Sequence, residues 1–208
     1  MTVRVLLRHA LFAAAAASFA TSVVGGSAAS AQSVVPNPDF DVAAVGPWTG
    51  NAASLSWSQT DPDCVPPNAS GSLQVSPEVP QAPAMAFLCV APPPAGTWSL
   101  AFLVRAECQA VVKGILRYYP EPDCGGGMLG TGETGGTTLG GTWDQAELAG
   151  AAPPVGTLSI FIGLQVSDSV TGVCSALFDR IHFGRGLPIL QSGFETGSTA
   201  CRWSATVP

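Results

Sequence analysis

The chain has 208 residues, of which 47% are hydrophobic and only 11% charged, with a formal net charge of −6. Beyond residue 31 its fourteen acidic residues face six basic ones (Arg105, Lys113, Arg117, Arg180, Arg185 and Arg202), a balance that argues against nucleic acid and anionic membranes as partners. The length suits one domain with a sizeable core, and 24 Gly and 18 Pro with few helix formers favour short strands between turns.

Arg4, Arg8 and His9 precede an apolar run from Ala10 to Val24, and Ala29-Ser30-Ala31 supplies the small-x-small pattern cleaved by signal peptidases. Residues 1–31 are therefore expected to be a signal peptide, with export of a chain starting near Gln32. No later run approaches the length of a membrane span. All six cysteines, Cys64, Cys89, Cys108, Cys124, Cys174 and Cys201, lie beyond the signal. An even number in an oxidising compartment reads as disulfides, and zinc is disfavoured because no CxxC pair occurs and His182 is the exported part's sole histidine. Cys108 and Cys124 bracket one strand and its return turn and are expected to pair. Neighbour order then suggests Cys64 with Cys89 and Cys174 with Cys201.

Strands are predicted at Leu55 to Gln59, Ser72 to Val75 and Ala84 to Val90. Next, Trp98, Leu100, Phe102 and Val104 alternate onto one core face. From Ala110 to Tyr119 a strand should turn Val112, Leu116 and Tyr118 inward, leaving Lys113, Ile115 and Arg117 on the other face. The Gly-rich stretch from Gly130 to Gly141 reads as a long flexible loop, lacking the helix and Lys of a phosphate cradle. Trp143 to Leu148, Thr157 to Gln165 and Ala176 to Phe183 complete the set. Thr157 to Gln165 sets Leu158, Ile160, Ile162 and Leu164 against Thr157, Ser159, Gly163 and Gln165. Eight or nine strands without a convincing helix predict an all-β, two-sheet antiparallel sandwich over residues 32–186, stapled by disulfides and followed by a tail at 187–208.

Asn37-Pro38-Asp39-Phe40-Asp41, Trp48, Gly71 to Val75, Gly96 to Ala101, Thr142-Trp143 and Phe178-Asp179-Arg180-Ile181 together resemble the jelly-roll carbohydrate-binding modules of the galactose-binding-like group. The resemblance spans most of residues 34–184. Asp41 stands where those modules usually carry Glu, and Arg180 where they carry a second Asp. It implies a jelly roll, a polysaccharide ligand, core positions for Trp48 and Trp143, and a structural calcium ion with Asp41 and Asp179 in the matching places. Asp179 also has a physical argument of its own. If Leu177, Ile181 and Phe183 form the core face, its carboxylate is drawn inward and needs a partner, which calcium supplies well; if Phe178 and His182 form it, Asp179 faces solvent. The tail motif Ser192 to Gly197 with Trp203-Ser204 resembles a short C-terminal signature of secreted bacterial proteins.

Catalytic chemistry finds little material. A nucleophile–base pair would depend on His182, which falls within a strand, and the carboxylate pairs Asp144 with Glu147 and Glu121 with Asp123 rest on spacing alone. Sugar recognition commonly uses exposed rings. Trp98 belongs to an apolar stripe, whereas Trp57 has polar neighbours and Tyr119 lies opposite Tyr118, so Trp57 and Tyr119 are the candidate carbohydrate contacts. A secreted, non-catalytic module binding carbohydrate is the leading expectation. A structural or adhesive surface protein is the alternative, and a small glycoside hydrolase the third.

Overall fold

Wherever apolar residues alternate between Pro- or Gly-rich breaks, the chain forms a strand. The computed structural model describes residues 33–62, 70–80, 82–93, 96–138, 140–168 and 173–185. Eleven strands lie among them: β1 (Thr49–Asn51), β2 (Ala53–Ser58), β3 (Ser72–Pro77), β4 (Ala84–Val90), β5 (Trp98–Ala106), β6 (Ala110–Tyr119), β7 (Gly130–Glu133), β8 (Thr137–Thr138), β9 (Asp144–Ala151), β10 (Ser159–Asp168) and β11 (Ala176–Gly184). A 3-10 turn covers Pro122–Cys124. No helix among the described residues is long and apolar enough to cross a membrane. The expected signal peptide and C-terminal tail lie outside the described residues.

The strands build two antiparallel sheets. The first runs β1-β4-β10-β6-β7, with β8 also on β6, and the second runs β2-β3-β11-β5-β9. Their inner faces share one core. Phe102 meets Phe178 at 5.6 Å between ring centroids and Trp98 meets Phe183 at 5.7 Å. Leu88, Val112, Leu116, Ile160, Ile162 and Leu164 fill it from the first sheet. Each such side chain contributes about 1.5–3 kcal/mol by leaving water, so the fold rests on this layer. The inward stripe of β5 and the inward Val112, Leu116 and Tyr118 of β6 are as the alternation predicts. Gly114, between Val112 and Leu116, leaves room for Phe102: a Cβ there would lie 2.5 Å from its Cε1.

Four sequence expectations are corrected. First, the Gly130–Gly141 stretch carries β7 and β8, which pair with successive parts of β6. Buried Thr134 bridges the break between them, donating its backbone N–H to the Gly114 carbonyl and accepting the Gly114 N–H on its hydroxyl. Second, the disulfides are Cys89–Cys124 and Cys108–Cys174. The Cys108–Cys124, Cys64–Cys89 and Cys174–Cys201 pairings are thereby excluded. The reason is register: Ala106 of β5 lies opposite Ala176 of β11, so two residues farther out Cys108 faces Cys174. Cys64 and Cys201 lie outside the described residues. Third, Trp143 is half-buried and belongs to neither apolar cluster, whereas Trp48 is core. Fourth, Leu158 is exposed, because β10 begins one residue later.

The Asn37–Asp41 segment forms turns, not a strand. It is nonetheless held on β11, with the Ile181 N–H donating to the Pro38 carbonyl and Val34 N–H to the Phe183 carbonyl, and it delivers Phe40 into the core.

Candidate functional site

Alternation turns every second residue of β4, β6, β7 and β10 to the outer face of the first sheet, and the register gathers them into rows. One row holds Cys89, Phe161, Arg117 and Thr131. The next holds Thr49, Phe87, Gly163, Ile115 and Glu133, and the third Asn51, Met85, Gln165 and Lys113. Met85, Ile115 and Phe161 form an apolar cluster of their own, with half-buried Phe87, Tyr119 and Cys124 packed against it. The Phe87 and Phe161 rings stack at 5.0 Å with planes 18° apart, and the Arg117 guanidinium sits 5.2 Å from the Phe161 centroid. A cation over a ring face is attracted by its quadrupole. The three side chains therefore form a layered stack across β4, β10 and β6.

Gly163 makes this arrangement possible. A Cβ at that position would lie 2.8 Å from Phe161 Cε1 and 2.9 Å from Met85 Sδ, so only hydrogen lets those side chains lie over the strand. Lys113 Nζ meets Glu133 Oε2 at 3.1 Å, with both side chains well exposed. At one end Cys124, bonded to Cys89 of β4, donates its N–H to Ser159 Oγ at 2.9 Å, and the Ser159 hydroxyl donates to the Glu121 carbonyl. These contacts fix the turn after Tyr119.

Tyr119 lies on this face and packs on the Phe87–Phe161 cluster. Tyr118 points into the core, and burial pushes its phenol above the ordinary value. Trp57, the other expected sugar contact, is elsewhere. It sits on β2 of the second sheet, opposite the core residue Leu73, packs against the core, and donates its indole N–H to the Phe40 carbonyl at 3.0 Å. The fold thus separates Trp57 from Tyr119 by placing them on different sheets, and Trp57 is an anchor for the N-terminal segment.

Asp179 is fully buried and Asp41 exposed. A bulge follows Asp179. Arg180 adopts a positive φ of 51° and the register shifts between Asp179 and His182, so Phe178 and Ile181 both reach the core while Asp179 stays in the row of Leu103. Among the described residues no group of three or more His, Cys, Asp or Glu is placed to hold a metal ion. The carboxylate pairs fare no better. Asp144 lies opposite Val104 in a core-facing row and Glu147 opposite Ala101 in an outer one, so they occupy opposite faces of β9. Glu121 folds back against Gly125 and Gly126. His182 is buried opposite Ala101.

Phe87, Phe161 and the stacking role of Arg117 are absent from the sequence reading. The signal was present in β10, where Phe161 is the one large apolar residue on the face otherwise made of Ser159, Gly163 and Gln165.

A scan against protein-family models and a search of curated proteins returned no match. Solved structures do match. A module in complex with β-1,4-galactotriose, TmCBM61, is 17% identical at a TM-score of 0.51, covering 74% of this chain and 99% of that one. The C-terminal family 22 carbohydrate-binding module of Clostridium thermocellum Xyn10B is 14% identical at 0.54, covering 73% and 94%. The enzymatically active domain of bacteriophage CBA120 tailspike protein 4 is 19% identical at 0.55 over 73% of this chain, which spans only 21% of that domain. The chain therefore has the two-sheet β-sandwich fold of these solved structures.

Proposed function

We propose that the protein is a secreted, non-catalytic module that binds carbohydrate on the outer face of the first sheet. The stack of Phe87, Phe161 and Arg117 beside half-buried Tyr119 carries this reading. Flat ring faces match the C–H faces of sugars, and a mostly apolar surface with a few polar groups, here Gln165, Lys113 and Thr131, suits a small set of directed hydrogen bonds. Modules of the same fold bind galactotriose, and the CBM22-2 domain of Paenibacillus barcinonensis Xyn10C is a xylan-binding domain. Two disulfides and an N-terminal segment patterned as a signal peptide support export to the periplasm or medium.

A glycan array on the purified exported domain, followed by calorimetry, tests the reading. Changing Phe87 and Tyr119 together to Ala should abolish binding, whereas Trp57→Phe should retain it. Binding to no plant, fungal or bacterial glycan would favour a structural or adhesive role instead.

A further inference from the structure

The charges of this chain are unevenly placed. The whole sequence carries −6, yet the outer face of the first sheet presents Lys113 and Arg117 from one strand face of β6, with Glu133 as its carboxylate among the described residues. Glu133 is already tied to Lys113. The nearby Glu121 lies against its own turn at Gly125 and Gly126. Among the described residues Arg117 has the Phe161 ring as its partner and no carboxylate, so its N–H donors are open toward the face that the sugar would occupy. A guanidinium drawn over a ring face keeps its fork of donors, which matches the two oxygens of a carboxylate.

We infer that the ligand of this face is an anionic polysaccharide, one whose sugar units carry carboxylates, with Arg117 pairing a carboxylate while Phe87 and Tyr119 hold neighbouring ring faces. This rests on the carbohydrate-binding reading above and narrows it to a substrate class. Lys113 lies four residues along the same strand face, about 13 Å away at the usual rise per residue, where Glu133 already pairs it. Arg117, the cation of this apolar platform that Glu133 does not hold, selects against neutral glycans by that placement.

The test is affinity electrophoresis and calorimetry of the exported protein on a polyuronate, its methyl-esterified form, a sulfated glycan, and neutral galactan and xylan. The expected result is binding to the polyuronate that weakens with salt and is lost on esterification. Arg117→Gln should reduce it roughly tenfold to a hundredfold, the range for a hydrogen bond to a charged group. Arg117→Lys should recover only part, because the fork is lost while the charge remains. Melting curves of both variants confirm that each is folded. Equal binding to neutral glycans, unaffected by Arg117→Gln, overturns the inference and leaves the carbohydrate reading intact. Binding to the sulfated glycan alone overturns the choice of carboxylate, and binding to nothing overturns both readings.

Discussion

Gly114→Ala sets two effects of opposite sign against each other, and the geometry decides between them. Gly114 has an ordinary strand backbone, so alanine should gain about 0.4–1 kcal/mol by restricting the unfolded chain. In the fold, however, the new methyl group would lie 2.5 Å from Phe102 Cε1 and 2.9 Å from Leu100 Cδ2. Neither neighbour can swing away. Both are fully buried, and the Phe102 ring is packed on Phe178. Overpacking of this kind costs about 1–3 kcal/mol, leaving a net loss of about 1–2 kcal/mol. For a domain of this size that lowers the melting temperature by roughly 2–8 °C. Thermal melts followed by circular dichroism should show the drop. In a Phe102→Leu background the same substitution should be near neutral, because the clashing ring is gone, and the cycle should give an interaction energy of about 1 kcal/mol or more. A Gly114→Ala protein that melts higher than the parent would refute the claim that β6 and β5 press together here.

Peptide mapping without reduction should recover Cys89 joined to Cys124 and Cys108 to Cys174, leaving Cys64 and Cys201 for each other. Changing Cys108 and Cys174 together to Ser opens a loop with a sequence separation of 66, which the chain-entropy estimate values at about 4 kcal/mol. Because burial raises the Tyr118 phenol, its contribution to stability is full below the unfolded value of about 10 and is lost as pH rises through the higher folded value. Tyr118→Phe should therefore lessen the loss of stability in alkaline melts. A calcium ion held with Asp41 and Asp179 predicts a melting temperature lowered by chelator, and a melting curve unchanged by chelator overturns it. Asp179→Ala should remove that drop.

The eight main strands were legible because each carries its own alternation, and a strand's inner face is decided within a few residues. β5 and β6 show this, since Trp98 to Val104 and Val112 to Tyr118 declare their cores locally. Whatever depends on which strands become neighbours was not legible. Cys108 finds Cys174 only once β5 is known to lie beside β11, and Trp57 parts from Tyr119 only once β2 and β6 are assigned to different sheets. β7 and β8 were hidden for another reason: Gly130, Gly132, Gly135 and Gly136 lack strand propensity, and the segment is extended because β6 offers a free edge and Thr134 bridges the gap. The bulge at Arg180 reverses the face halfway along β11, so both readings of Asp179 from a uniform alternation were incomplete.

The first sheet ends on one side in the three residues of β1 and on the other in an edge broken between Glu133 and Thr137. Backbone N–H and C=O groups at a margin invite a strand from another molecule when they form a long unbroken row. Here neither margin supplies one. Neighbouring copies therefore find no long unbroken edge on this sheet along which to zip into a continuous one.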